Sequence, residues 1–343
     1  MMIDKILQYA KKQGCSDVHI TTNSQPSVRF DGDITIIPNT PVLTDKAALD
    51  LIYMIMNDSQ KKIYAEKLEL DFSIQVGPAL RFRVNAFRTI YGPAAVFREI
   101  PLEIKSLAAL NAPQSVHELA RYNSGLVLVV GPTGSGKSTT LAALIDEINE
   151  KHRKHIITIE DPVEFIHKSK KCLINQREVG NSTHSFSAAL KSALREDPDV
   201  ILVGEMRDIE TIHLALTAAE TGHLVLGTLH TSSAAQTINR IIDVFPANDK
   251  PVVRTMLSSS IKAVVSQRLI KKQGGGRVAS YEIMIANPSI RNLIREDKIV
   301  QINSIIEISK KLGMVTMRDS VIELENKGII SKATAEEIFA ASE

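Results

Sequence analysis

At 343 residues, 23% charged and 44% hydrophobic, the chain has the length for two domains and the balance of a globular protein, which excludes a disordered or fibrous one. Its 41 basic and 39 acidic residues leave a formal charge of +2, too even for a dedicated nucleic-acid surface. Two distant cysteines, Cys15 and Cys172, make neither a CxxC pair nor a metal framework and fit a reducing compartment, while no apolar stretch approaches the roughly 20 residues that span a bilayer.

Ile3, Ile6, Leu7 and Ala10 recur at helical spacing, and Gly14 closes this short amphipathic helix. Asp4 and Lys5 interrupt it, so the opening lacks the apolar core of a secretory signal. From "DVHI" through "PSVRFDGDITII" to "LRFRVNAF" polar and apolar residues alternate, broken by the turn "DGD", as expected of strands. Between them "DKAALDLIYMIMNDSQKKIYAEK" predicts two helices parted near Asn57 and Asp58, giving a small α+β domain. Pro101 and Pro113 bracket "LEIKSLAALNA", a hinge segment.

From Gly125 apolar strands alternate with helical stretches, the pattern of a mostly parallel sheet covered on both faces. The strand candidates are "LVLVV", "HIITI", "VILVG" and "LVLGTLH". After "RVASYEIMI" the period is helical, with breaks at Gly313 and Gly328, and neither an internal repeat nor a low-complexity segment is present.

The first of these strands runs directly into "GPTGSGKS", which satisfies G-x-x-x-x-G-K-[ST], and then into the helical "TTLAALIDEIN". Gly131, Pro132, Thr133, Gly134, Ser135 and Gly136 form a loop whose backbone N–H groups aim at phosphate oxygens, and the helix N-terminus at Lys137, Ser138 and Thr139 adds positive potential. Lys137 is expected to reach the β- and γ-phosphates of ATP and Ser138 to ligate Mg²⁺. The third strand ends "PDVILVGE", with Gly204 where magnesium-handling strands usually carry Asp and with Glu205 next. Another acid must then help. "TIEDPVEF" supplies Glu160, Asp161 and Glu164 at a neighbouring strand end, which in a parallel sheet opens onto the same crevice. A carboxylate there positions water or senses Mg²⁺, whereas the plainer reading is an acidic rim paired with basic neighbours. "GHLVLGTLHT" adds His223 before its strand and His230 after it. Neither zinc-ligand spacing nor a nucleophile triad is legible.

Together "GPTGSGKSTT", "TIEDPVEF", "LREDPDVILVGEMRD" and "TGHLVLGTLHT" resemble the secretion ATPase superfamily, specifically the type IV pilus retraction ATPases of the PilT family. The resemblance continues through "SDVHI", "VRFDGDI", "RFRVNAF", "VFREIP" and "SIRNLIREDK" and covers nearly the whole chain. In that family the Gly-Glu ending is normal. The resemblance implies an α/β protein with a PAS-like N-terminal domain (1–98), a linker (99–115), a RecA-like P-loop ATPase core (116–286) and a helical C-terminal region (287–343). It implies a homohexameric motor in the cytoplasm, at the cytoplasmic face of the inner membrane, that hydrolyses ATP to power pilus retraction and twitching motility. Its expected partners are the inner-membrane pilus platform protein and related motor ATPases; nucleic acid is not among them, and membrane contact comes only through partners.

Carried over by motif, Glu205 matches the Walker B glutamate, Glu164 the acidic-box glutamate proposed as catalytic, Lys137 the phosphate-loop lysine, and His223 and His230 the histidine box. "SIRNLIRE", residues Ser289, Ile290, Arg291, Asn292, Leu293, Ile294, Arg295 and Glu296, resembles the family's retraction motif "AIRNLIRE". Read physically, Ser289 caps a helix with Ile290, Leu293 and Ile294 on one side and solvated Arg291 and Arg295 on another. The chain departs from its relatives at Tyr91, where an Arg commonly serves a neighbour's nucleotide, which leaves Arg83, Arg88 and Arg98 as candidates for that role. Competing readings are an accessory retraction paralogue, an assembly or secretion ATPase, a nucleotide-gated docking module with little turnover, and a nucleic-acid translocase. The assembly ATPases usually bear a tetracysteine metal site that two cysteines cannot make, and a chain without Trp offers little for a stacking channel.

Overall fold

A computed structural model describes residues 3–30, 32–77, 80–100 and 103–340. The tip of the "DGD" turn at Asp31 and the Pro101 end of the hinge segment lie outside the described residues. The chain divides into two compact units, Met1–Glu103 and Ile104–Glu343.

In the first unit the helix Ile3–Gln13 ends where Gly14 takes φ +71°, a left-handed conformation that glycine adopts without strain. Six strands follow the polar/apolar alternation: β1 (Asp17–Thr21), β2 (Ser27–Phe30), β3 (Asp33–Ile36), β4 (Glu69–Val76), β5 (Leu80–Thr89) and β6 (Gly92–Ile100). They form one antiparallel sheet in the order β3-β2-β1-β6-β5-β4. The helices Asp45–Tyr53 and Asp58–Lys67 are parted at Asn57, whose side chain accepts from the Gln60 N–H while the Gln60 side chain accepts from the Asn57 N–H, a reciprocal cap. Leu7, Ile20, Ile52, Tyr64, Phe82 and Phe97 are among the side chains that fill the core of this unit.

The second unit is a seven-stranded sheet made of β7 (Gly125–Val130), β8 (His155–Glu160), β9 (Leu173–Glu178), β10 (Val200–Val203), β11 (Leu224–Leu229), β12 (Ile261–Lys271) and β13 (Arg277–Ile285). Its order is β13-β12-β7-β11-β10-β8-β9, and only the β12–β13 pairing is antiparallel. Successive side chains of a strand point to opposite faces, and the cores divide accordingly. Leu126, Leu128 and Val130 of β7 pack on one face with the helices Ile209–Glu220 and Ala234–Asp243, while Val127 and Val129 pack on the other against Leu144, Ile145 and Ile148 of the helix Lys137–Lys151. Both faces being covered explains why these strands read as unbroken apolar runs. Three strands were not among the sequence's candidates: β9, whose "LINQRE" is mostly polar at a sheet edge, β12, which follows the helix Lys250–Ser260 without a loop, and β13. After β13 the described chain is helical, over Pro288–Arg295, Ile302–Ile308, Met317–Asn326 and Lys332–Ala340 with short 3₁₀ turns, and Gly313 and Gly328 sit at breaks with positive φ.

The segment between β8 and β9 is held to β9 by Gln176, whose Oε1 accepts from the His167 N–H at 2.7 Å and whose Nε2 donates to the Phe165 carbonyl at 2.9 Å. Burial lowers the His167 pKa to about 4 against an ordinary value of 6.5. The folded chain therefore binds fewer protons here than the unfolded one, and this contribution to stability, complete above pH 6.5, is lost as pH falls toward 4. We expect unfolding by urea to need less denaturant at pH 5 than at pH 7, and His167→Asn to shrink that difference; an unchanged difference would show that the ring is not responsible.

Candidate functional site

The crevice is built at the C-terminal ends of the parallel strands. After Val130 the chain must turn sharply into the helix Lys137–Lys151, and it does so through Gly131 at φ +150°, Gly134 at +78° and Gly136 at +89°. Close approach to β12 makes the first and last of these glycines irreplaceable. A Cβ on Gly131 would lie 2.3 Å from the Gln267 carbonyl oxygen, and one on Gly136 would lie 2.8 Å from Gln267 Nε2. The remaining loop residues Pro132 and Thr133 are exposed, and Ser135 is buried with an Oγ that has no hydrogen-bond partner. Lys137, also buried, folds over the loop, and its Nζ donates to the carbonyls of Gly131 at 2.8 Å and Pro132 at 3.0 Å. Ser138 and Thr139 follow in the first turn of the helix, Ser138 exposed and Thr139 half-buried. A helix N-terminus, a glycine turn presenting its amides and a lysine over both form a cradle for a polyphosphate.

Two carboxylates act on that lysine. Burial lowers the Lys137 pKa, and the charges of Glu205 and Glu164 work against this. Glu205 follows Gly204 at the end of β10. Burial would raise its pKa, but the Arg207 guanidinium and His230 outweigh this and hold it low. Arg207 grips it with Nε 2.5 Å from Oε1 and Nη2 2.6 Å from Oε2, and His230 Nε2 lies 3.1 Å from Oε1. Glu164 is half-buried on the segment after β8. Asp161 is exposed and its charge reaches Arg207. Glu160 behaves differently: its carboxylate is tied down by Thr158 Oγ1 at 2.7 Å and Gln176 Nε2 at 3.2 Å, and burial raises its pKa. Among the acids of this box, only Glu164 has an evident influence on Lys137.

The glycine at position 204 has a steric reason. A Cβ there would stand 3.0 Å from the Ile159 carbonyl oxygen and 3.2 Å from Glu160 Cα, so β8 crowds the place where an Asp side chain would begin. The acid moves one residue along, to Glu205.

His223 and His230 lie at opposite ends of β11. His230 joins Glu205, whereas His223 precedes Leu224, and β11 runs parallel to β7 from Leu224 beside Gly125 to Leu229 beside Val130. At about 3.3 Å per residue this separates His223 by roughly 20 Å from its own chain's phosphate loop. Its Nδ1 instead lies 3.0 Å from the Ala218 carbonyl. Within a single chain the two histidines therefore lie at opposite ends of the strand, as their positions before and after its apolar run imply.

The helix Pro288–Arg295 corrects two expectations. Its cap is Asn287, whose Oδ1 accepts from the Ile290 N–H at 2.9 Å; Pro288 takes the first helical position and Ser289 lies inside the first turn. Ile290, Leu293 and Ile294 are buried as expected and Arg295 is exposed, but Arg291 is not a solvated arginine. Its Nη1 donates to the carbonyls of Ser258 and Ser259, each at 2.7 Å, closing the C-terminal end of the helix Lys250–Ser260 where unpaired carbonyls and the helix dipole favour a cation. Asn292 donates to Glu296, which also pairs with Lys298. In the first unit Arg83 pairs with Asp71 at 2.6 Å and Arg98 with Asp17 at 2.8 Å, while Arg88 and Tyr91 are exposed. Sequence reasoning missed Arg207, Gln176 and Gln267, all of which hold site residues in place. Arg207 lies within the quoted "GEMRD", so its proximity to Glu205 was the available signal; the two glutamines sit on β9 and β12, strands that were not recognised.

The model of the type II/IV secretion system protein family matches residues 1–274. The type IV pilus retraction ATPase PilT of Pseudomonas aeruginosa is 56% identical over 337 residues, 98% of each chain. A twitching motility protein of Neisseria gonorrhoeae is 58% identical over 311 residues, covering 90% of this chain and 83% of that protein. The crystal structure of the pilus retraction motor PilT with bound ADP superposes with a TM-score of 0.91 at 47% identity, covering 98% of this chain and 96% of the other.

Because the crowding at position 204 is steric, Gly204→Asp should lower the melting temperature by several degrees, and combining it with Glu205→Gln should not restore ATP hydrolysis; recovery of the rate in the double variant would contradict the packing argument. The matches in sequence and structure carry the same conclusion as the crevice: the chain belongs to the type II/IV secretion system protein family, within its PilT group of retraction ATPases.

Proposed function

We propose that this protein is an ATP-hydrolysing motor that powers type IV pilus retraction and twitching motility. The observation that carries the reading is the glycine-turned loop at the N-terminus of the helix Lys137–Lys151, with Lys137 folded over it and the charges of Glu205 and Glu164 felt at that lysine. Near-complete coverage by a retraction ATPase at 56% identity supports it.

In this reading the loop amides of Gly131–Ser138 cradle the phosphates of ATP, and Lys137 exchanges its two carbonyl partners for phosphate oxygens. Mg²⁺, when bound, would supply positive charge that offsets the polyphosphate's. The donor set suits a hard cation: an exposed Ser138 hydroxyl in the first helical turn, and a Glu205 carboxylate held ionised by its neighbours. Glu164 then orients the attacking water, and His230, through its contact with Glu205, senses the departing phosphate. Glu160 and Asp161 shape the rim, the first as a buried anchor of the box. His223 and the motif from Ser289 to Glu296 serve the opposite end of the sheet, where hydrolysis is passed on to the machinery.

The working form is a homohexamer at the cytoplasmic face of the inner membrane, acting with the pilus platform protein and related motor ATPases. Among the described residues no helix is long and apolar enough to cross a membrane, which fits contact through partners. Residues 1–98 make the PAS-like domain, 99–115 the linker, 116–286 the RecA-like core and 287–343 the helical region. An arginine offered to a neighbouring subunit comes from Arg83, Arg88 or Arg98; Arg83 and Arg98 would first have to leave their aspartates.

Steady-state hydrolysis tests the reading. Glu205→Gln should lower kcat by about 100-fold or more while ADP still binds, and equal rates in variant and native chain would remove the motor. Lys137→Ala should abolish twitching and leave cells with excess pili; normal motility would contradict the assignment. Replacing Arg291 and Arg295 together should spare nucleotide affinity but weaken retraction, since Arg291 is bonded at the far end of the sheet.

A further inference from the structure

We infer that Gln267 is a positioning residue of the phosphate loop, a side-chain clamp from β12 that holds the loop in its nucleotide-binding shape. Gln267 is 2% exposed and lies in the middle of β12. Its Nε2 donates to the Ser135 carbonyl at 2.8 Å, and its Oε1 accepts from Thr140 Oγ1 at 2.7 Å. One amide thus bridges the loop to the first turn of the helix that follows it, across sequence separations of 132 and 127 residues. Its own carbonyl oxygen is the atom that forbids a side chain at Gly131, and its Nε2 is the atom nearest a Cβ on Gly136. Both glycines that allow the loop its turn are therefore shaped around this single residue.

The chemistry follows from what the loop must do. Phosphate oxygens are bound by N–H groups, so the carbonyls of the same peptides have to point away from the ligand. The Ser135 carbonyl does so because it is engaged by Gln267, which leaves the amides that follow it turned toward the crevice. Without that donor the carbonyl would be buried and unsatisfied, and the peptide would gain by rotating toward water. The Ser135 carbonyl, which can only accept, fixes which way round the amide sits, and Oε1 is left to accept from the Thr140 hydroxyl. The effect belongs to ligand binding, so it falls on KM and Kd before kcat.

The inference rests on the reading of Gly131–Ser138 as a nucleotide site. The test uses the full chain, with ADP titrated calorimetrically, ATP turnover measured at steady state, and amide hydrogen exchange followed without nucleotide. Gln267→Met keeps the volume and removes both bonds. It should raise the ADP Kd about tenfold, raise KM for ATP similarly with kcat within about threefold, and speed exchange at residues 135–138. Gln267→Glu keeps the acceptor for Thr140 but loses the donor, and should weaken ADP as much, which also serves if the methionine variant fails to fold. Thr140→Val should weaken it less, and combined with Gln267→Met should add nothing further. Native ADP affinity in both Gln267 variants, even with a lower melting temperature, would overturn the clamp and leave a merely structural glutamine. Failure of the native chain to bind ADP would remove the nucleotide reading itself, while faster exchange in the variants would still report the clamp.

Discussion

The close approach of β12 to the phosphate loop is the constraint on which the rest of the site depends. A parallel sheet sends every strand's C-terminal end to the same edge, but this alone only gathers chain ends. What converts the end of β7 into an anion cradle is that the backbone of β12 comes within a side chain's reach of it, leaving room for glycine alone at positions 131 and 136. The loop is consequently packed against a strand on one side and open to ligand on the other. Its lysine, buried and donating to loop carbonyls, lies where the charges of two carboxylates are felt.

The same economy of space explains where those carboxylates stand. Adjacent parallel strands lie under 5 Å apart, so an acid one step past β10 competes with the backbone of β8. Gly204 relieves the crowding, and Glu205, two steps past the strand, escapes it and reaches Arg207 and His230. On β8 the strand-end acid Glu160 is drawn inward by Thr158 and Gln176, whereas the charge of the later Glu164 is felt at Lys137.

Much of this was legible because each legible feature is local. The four apolar strands, the two helices parted at Asn57 and the turn at Gly14 follow from periodicity and capping, which a short window contains. The loop was legible because its glycines and lysine are contiguous. The strands β9 and β12 were not, since half of β9 faces no core and β12 begins at the last residue of a helix with nothing between to mark the change. With them went Gln176 and Gln267, whose partners are distant in sequence. The Ser289 cap failed for a different reason: Asn287 two residues earlier is an equally good cap, and Pro288 after it fixes the first helical φ, so the competition was decided by a residue outside the motif.

β12 also gives the stretch Ser289–Glu296 a physical address. At its start, Arg291 holds the carbonyls of Ser258 and Ser259 on the helix that becomes the strand at Ile261; further along the same strand, Gln267 holds Ser135. Between those points the strand is hydrogen-bonded on both sides, to β7 and to β13, with a register shift against β7 between Ile261 and Ala263. Ion pairs at a surface would hold it weakly, because water competes for them. Arg291 instead donates to two carbonyls at a helix end, and Gln267 is buried among fixed partners, so each joins the strand to its neighbour by bonds that packing already orders. The helix Pro288–Arg295, roughly 20 Å from the phosphate loop at the opposite end of the sheet, is thereby attached to the same strand that shapes that loop.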